Sequence, residues 1–292
     1  MSHYLDPKTD IVFKKIFGEH PKLLKSFLNA VLPLPKDGLI ESLEYLPSEQ
    51  VPLIPSFKYT VVDVRCTDQK GQIFIVEMQI QWTLGFKQRM LFNASKAYVT
   101  QLEKGEDYEL LRPVYGLGLI NTIFDKESPN WYHHYKMVNV QKPEVEIKDL
   151  QLVFIELPKF KAQHYSDKKL QILWLRFMSE LNEKSLEVPT EWLAVPEIKQ
   201  AVQLAKEAAY TPAELLSYDQ YWDAISIEKT LVKGAEIKGR QEGLVKGRQE
   251  GDFKAKQIIA RNLLTKGLSI AEVAAITELS LEEIQALANN QL

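Results

Sequence analysis

The chain has 292 residues, of which 45% are hydrophobic and 26% charged, with a formal net charge of −3. These values suit one large or two small globular domains and exclude a disordered chain, a collagen-like chain and a coiled-coil rod. No run reaches the 18 consecutive apolar residues of a membrane span, the first residues lack the apolar stretch of a secretory signal, and the one cysteine, Cys66, has no partner for a disulfide or a cysteine-rich zinc site. A soluble cytoplasmic protein with no membrane partner is the expectation.

In chain order, Asp6 and Pro7 followed by Ile11, Phe13, Ile16 and Phe17 predict a short helix, N-capped by Asp6 and stopped at Gly18. A second helix is expected over 20–32, with Leu23, Leu24, Phe27, Leu28 and Val31 on one face. Five prolines make 33–58 mostly a connector, with room for a short strand over 40–46. Residues 59–80 predict a β-hairpin whose arms read TVVDVRCT and QIFIVEMQI. A helix over 86–102 follows, then strands within 113–125 and 152–157 and an amphipathic helix over 167–180. Residues 186–225 predict short helices broken at Pro189, Pro196 and Pro212.

The C-terminal segment differs in kind. KGRQEGLV at 238–245 continues as KGRQEG, and glycines fall at 234, 239, 243, 247 and 251. Between 228 and 266, ten Lys or Arg stand against five Asp or Glu, a local +5, so the rest of the chain is near −8. A polyanionic partner and a merely solvated basic helix are both compatible with that split. The segment predicts a helix of about 40 residues, ~60 Å long. From Gly239 to Gly251 the four-residue spacing holds the glycines within an arc of roughly 120°, which allows either close helix–helix approach or a flexible tether. Gly267 closes the helix, and Ser269 with Glu272 and Ser280 with Glu283 form capping boxes. The outline of 270–287 approaches a helix-turn-helix. However, Glu282 and Glu283 at the start of the would-be recognition helix oppose DNA, so a small helical interaction module is expected instead.

The chemistry concentrates on the hairpin. Alternation places Glu77 and Gln79 on the same strand face as Ile73 and Ile75. A three-residue loop Gln69-Lys70-Gly71, with Gly71 left-handed, pairs residues whose numbers sum to 140 and sets Asp63 across from Glu77. A four-residue loop throws Asp63 to the other face. Two opposed carboxylates repel, and a divalent cation is the natural compensation; oxygen-only ligation suits Mg²⁺ or Mn²⁺ rather than Zn²⁺. A plain solvent-facing sheet surface is the alternative. Cys66, pointing away from Asp63, reads as core, and His133 and His134, neighbours on one strand, read as structural, as do Trp131, Tyr132 and Tyr135.

Asp-x13-Glu-x-Gln on a hairpin followed by a basic helix resembles the PD-(D/E)XK nuclease superfamily. More closely, the chain resembles its recombination-promoting nuclease (Rpn), or transposase-like, family. The matching stretches are DPKTDIVFKKIF (6–17), VVDV (61–64), IVEMQIQ (75–81), RMLFNASKAYVTQLEKGEDY (89–108), VFIELPKF (153–160) and the glycine-punctuated tail. The resemblance implies an α/β restriction-endonuclease-like core of order α-β-β-β-α-β, with a helical C-terminal extension. It implies Asp63 and Glu77 as ligands of Mg²⁺ or Mn²⁺, Gln79 as the residue positioning water where most of the superfamily has Lys, and Asp10 as a further acidic residue. Lys87, Arg89 and Lys96 then read as DNA phosphate contacts, or as a solvated helix surface; Tyr98 and Gln101 match without an assigned role.

The expected organisation is a nuclease-like core over 1–165, a helical extension over 166–225, and a basic helix with a small helical module over 226–292. The expected function is a metal-dependent DNA endonuclease linked to recombination or mobile elements, acting on DNA as a homo-oligomer. The alternative is a DNA-binding or oligomerising accessory protein with a slow or degenerate nuclease core.

Overall fold

The structure, a computed structural model, describes residues 3–50, 60–161 and 169–289. It divides into two compact units, residues 1–221 and 222–292. Among the described residues no helix is long and apolar enough to cross a membrane.

The first unit is built on a six-stranded mixed sheet. Its strands are β1 (Leu43–Tyr45), β4 (Val64–Asp68), β5 (Ile73–Gln79), β6 (Val114–Ile120), β7 (Tyr132–Asn139) and β8 (Lys142–Glu156), in the order β1-β4-β5-β6-β8-β7. β2 (Glu49–Gln50) and β3 (Thr60–Val61) form a separate two-stranded ladder. β4 and β5 are antiparallel, while β5, β6 and β8 run parallel. The crossover from β5 to β6 is α3 (Phe86–Val99).

The register is the one set by the three-residue loop. Val64, Arg65, Cys66 and Thr67 face Val76, Ile75, Phe74 and Ile73, and Gly71 has φ +75°. Asp68 Oδ1 accepts from the backbone N–H groups of Lys70 and Gln72, which fixes the loop. The first arm is not one strand, however: the chain bends at Asp63, between β3 and β4. Its start at residue 59, like most of the connector's second half, lies outside the described residues.

α3 lies on one face of the sheet. Its Phe86, Met90, Ala94 and Ala97 pack with Val62, Ile73, Ile75, Val114, Ile120, Leu152 and Phe154. Full burial of each large side chain contributes about 1.5–3 kcal/mol. β6 is buried on both faces, and its Gly116 and Gly118 leave no room beneath α3. A Cβ at Gly118 would meet Phe154 at 2.9 Å and Phe86 at 3.0 Å. Cys66, Phe74, Val76, Leu117 and Val153 are buried too, so Cys66 is core as expected. The other helices are α1 (Asp10–Phe13), α2 (Pro21–Val31), α4 (Lys169–Glu180), α5 (Thr190–Leu193) and α6 (Pro196–Leu204). They enclose an aromatic cluster of Phe13, Phe17, Phe27, Trp174, Phe177 and Trp192. Tyr45 Oη and Tyr132 Oη donate to the Phe17 and Val31 carbonyls and tie this layer to the sheet.

Two expectations about helix ends are corrected. Asp6 does not cap α1. Its carboxylate accepts from Lys8 N and pairs with Lys8 Nζ, so it closes a turn ahead of the helix, whose N-cap position is Thr9. Pro212 does not break a helix but begins one. α7 runs unbroken from Pro212 to Thr265, because proline costs nothing at a first helical position. Pro196 likewise opens α6. The first residues of the helix expected over 167–180 lie outside the described residues.

In the second unit, the C-terminal part of α7 packs with α8 (Ile270–Thr277) and α9 (Leu281–Asn289) around Ala260, Val273, Leu279, Ile284 and Leu287. Gly267 is left-handed at φ +88°, and both capping boxes form. The rest of α7 in this unit is exposed, including Ile237, Leu244, Val245 and Phe253.

Candidate active site

Asp63, at the bend, and Glu77, near the end of β5, form the centre of the site. Asp63 Oδ2 accepts from Met78 N at 2.7 Å, a bond the bend makes possible by turning the carboxylate onto the neighbouring strand. Burial pushes the Asp63 carboxyl up to about 6; the charges of Glu77 and Asp10 push the same way, against the Met78 N–H and Lys14. Asp63 is therefore close enough to Glu77 and to Asp10 for each to act on its charge.

Glu77 points to α3 with its side chain only 6% exposed. Its Oε1 accepts from Asn93 Nδ2 at 2.8 Å and its Oε2 from Arg89 Nη2 at 3.1 Å. The same Arg89 nitrogen donates to Gln79 Oε1 at 2.6 Å, while Gln79 Nε2 donates to the Gln81 carbonyl. Arg89 and Asn93 lie one helical turn apart and so share the face of α3 that meets Glu77. Asn93 is fully buried, and its Oδ1 has no hydrogen-bond partner among the described residues.

Asp10 is held by Lys14 one turn on in the chain, at 2.8 Å. A cleft of about 320 Å³ opens beside Asp63, lined by Lys14, Glu19, Ser48 and Arg65 among others. The Arg65 guanidinium is half-buried, its Nε has no hydrogen-bond partner among the described residues, and burial lowers its pKa. Lys87 leaves this site: it donates to Tyr135 Oη at 3.1 Å and lies 4.3 Å from the Phe124 ring centre. Lys96 is half-buried further along α3. His133 and His134 have separate partners, Glu156 and Gln151, consistent with a structural role.

Among the described residues no three His, Cys, Asp or Glu side chains converge to hold a metal ion. The donor chemistry still fits a hard divalent cation. Asp63 offers carboxylate oxygens beside the strand that carries Glu77, the two like charges act on each other, and Mg²⁺ commonly binds through one or two carboxylates while keeping several waters.

Of the residues expected from sequence, the structure brings Asp63, Glu77, Gln79 and Arg89 near one another, with Arg89 on Glu77 and Gln79; Asn93, Lys14 and Arg65 are not among the expected site residues. Asn93 had a readable signal, being a polar residue in the apolar stripe Phe86, Met90, Ala94, Ala97. Lys14 stands four residues after Asp10 on the same short helical stretch.

A mixed sheet with a central hairpin, acidic residues at its bend and on its second arm, and a crossover helix closing over them is the frame of a nuclease of the PD-(D/E)XK type. The chain belongs to the PD-(D/E)XK nuclease family transposases, whose family model matches residues 7–234. No curated protein and no solved structure matches it.

Proposed function

We propose that the protein is a metal-dependent DNA endonuclease, hydrolysing phosphodiester bonds in recombination or in the movement of mobile elements. The observation that carries this reading is the bond from Met78 N to Asp63 Oδ2, which sets Asp63 beside the strand position of Glu77 in a chain of this family. Asp63 and Glu77 are the residues that would hold Mg²⁺ or Mn²⁺. Such an ion supplies an activated water and neutralises charge developing on the phosphate.

The chain's own residues set the rest. Asn93 fixes the Glu77 carboxylate from the buried side, so it faces the site with little rotational freedom. Met78 N–H orients Asp63. Gln79, held at both ends of its amide, orients a water or a phosphate oxygen as a neutral group. Asp10 adds negative charge near Asp63, and Lys14 and Arg65 line the cleft where an anionic backbone would lie.

The exposed, basic part of α7 is proposed to add salt-sensitive DNA affinity and to assemble the chain into a homo-oligomer in the cytoplasm. The domain division proposed is a core over 1–165, a helical extension over 166–225 and the assembly segment over 226–292. The second reading, an accessory protein with a slow nuclease core, is favoured by one observation: Arg89 engages both Glu77 and Gln79.

Plasmid nicking by the purified chain with Mg²⁺, Mn²⁺, Ca²⁺ or EDTA tests the proposal. Nicking with Mg²⁺ or Mn²⁺, lost in EDTA and in Asp63→Ala and Glu77→Ala, is expected. Metal-dependent DNA binding without nicking at any enzyme concentration selects the accessory reading.

A further inference from the structure

Arg89 is placed oddly for a DNA contact. One nitrogen, Nη2, bridges Glu77 Oε2 and Gln79 Oε1, the two groups that face the site from β5. A guanidinium has five N–H donors, and Nη2 carries two of them. The other three make no hydrogen bond among the described residues, and the side chain is 45% exposed. The arginine is thus anchored through Nη2 and lies 4.9 Å from the Phe86 ring centre, with its other donors uncommitted among the described residues.

Charge explains the anchoring. Asp63 lies within electrostatic reach of both Glu77 and Asp10, and each of those two carries a cation: Lys14 on Asp10 and Arg89 on Glu77. A carboxylate as buried as Glu77 needs such a partner, because an unpaired buried charge is costly. That partner is partly exposed to solvent. Its buried counterpart on the same carboxylate, Asn93, is neutral and fully enclosed.

We infer that Arg89 is a resident cation: it occupies the cation position on Glu77 in the metal-free protein, is displaced when a divalent ion binds there, and then becomes a ligand of the DNA phosphate. This rests on the proposed metal role of Glu77. Because Arg89 and the ion compete for one carboxylate oxygen, each weakens the other's hold by the same factor. The freed guanidinium, with a fork of donors matched to phosphate oxygens, then adds an anion contact that exists only in the loaded state. Metal and DNA binding are coupled through one side chain, and Arg89 acts as a positioning residue between them.

The test titrates MnCl₂ into the full-length protein by calorimetry, for wild type, Arg89→Met and Glu77→Gln. Arg89→Met should bind Mn²⁺ about tenfold more tightly, the factor that corresponds to ~1.4 kcal/mol. Its metal-free form should melt at a lower temperature than wild type and recover more on adding Mn²⁺. A merely structural role for Arg89 predicts weaker metal binding, the opposite sign. Unchanged or weaker binding in Arg89→Met, with binding abolished in Glu77→Gln, overturns the resident-cation inference and leaves the metal site standing. Unchanged binding in Glu77→Gln removes the site itself.

If Arg89→Met does not fold, Arg89→Lys serves, since an ammonium keeps the charge but not the forked geometry. It should bind Mn²⁺ roughly threefold more tightly, a smaller step by the same conversion. No change overturns the inference. In parallel, binding of a duplex oligonucleotide should be equal for wild type and Arg89→Met in EDTA. It should be weaker for the variant in Ca²⁺, with the salt slope reduced by about one phosphate contact. Equal weakening in both conditions overturns displacement.

Discussion

Glycine plays opposite roles in two regions of this molecule. In β6, Gly116 and Gly118 sit where a Cβ would collide: Leu152 at 2.8 Å and Met90 at 3.0 Å for the first, two aromatic rings at 3.0 Å or less for the second. In α7, Gly234, Gly239, Gly243, Gly247 and Gly251 have nothing within 4 Å of an added Cβ. The first pair is required by packing, since it lets α3 settle onto the sheet and bring Asn93 and Arg89 to Glu77. Among the described residues the five in the helix meet no such demand, and they weaken the helix by about 1 kcal/mol each relative to Ala. A residue type that looks uniform in composition therefore marks a site-forming contact in one place and an unclaimed surface in the other.

The contrast can be broken by substitution, and the largest effect is expected at Gly118. Gly118→Ala should cost about 3 kcal/mol, at the upper end for overpacking, because both neighbours are rings that cannot swing aside. Urea melts measure the cost, and loss of Mn²⁺ binding with the fold retained would show that α3 carries the site. Full stability in Gly118→Ala would end the comparison. Next in size is the site's own electrostatic strain. Asp63 holds its proton more tightly in the folded chain, with its pKa raised from 3.8 to about 6. The native state therefore binds more protons than the unfolded one between these values. Metal-free protein should lose stability as pH rises from about 4 to about 6, on the order of 2 kcal/mol, and no further from this group above that. Asp63→Asn should flatten that fall and be the more stable protein at pH 7.5 in EDTA, as read from paired urea melts.

Removing Asn93 tests the buried side of the same site. Asn93→Ala takes away the donor to Glu77 Oε1 and should cost about 2 kcal/mol, partly recovered by saturating Mn²⁺. The smallest effect is reserved for α7. Gly243→Ala and Gly247→Ala together should raise helicity and stability by ~1–2 kcal/mol with no change in Mn²⁺ binding. If they instead reduce the mass measured by light scattering, a second copy claims that surface. A truncation ending near Asp223 sharpens this further: smaller assembly and weaker DNA binding at low salt, with cutting retained at high enzyme concentration.

Local chemistry explains which parts were legible in the sequence. The hairpin register followed from Gly71, because one left-handed residue at the end of a loop fixes the pairing of everything beyond it. Both capping boxes were readable for the same reason, being contained in four residues each. Asp6 misled because Asp before Pro suits a helix cap and a turn equally, and the choice fell to Lys8, whose ammonium it pairs. Pro212 misled because a proline that ends one helix and one that begins another have the same local signature. Asn93 stood out as a polar residue in an apolar stripe, but its partner Glu77 lies across the fold, and Lys14 gains meaning from Asp10 one turn away.

Asp63, Glu77, Gln79, Arg89 and Asn93 all fall within residues 63–93, at the bend before β4, on β5 and on α3. Contacts this close in sequence close with little loop entropy and can form early in folding. The parallel partners β6 and β8 arrive from residue 114 onward and enclose the unit afterwards. A nascent chain that has emerged only to about residue 100 thus carries every one of these side chains while still lacking the strands that hold α3 down. The order of synthesis delays a rigid site until β6 is in place.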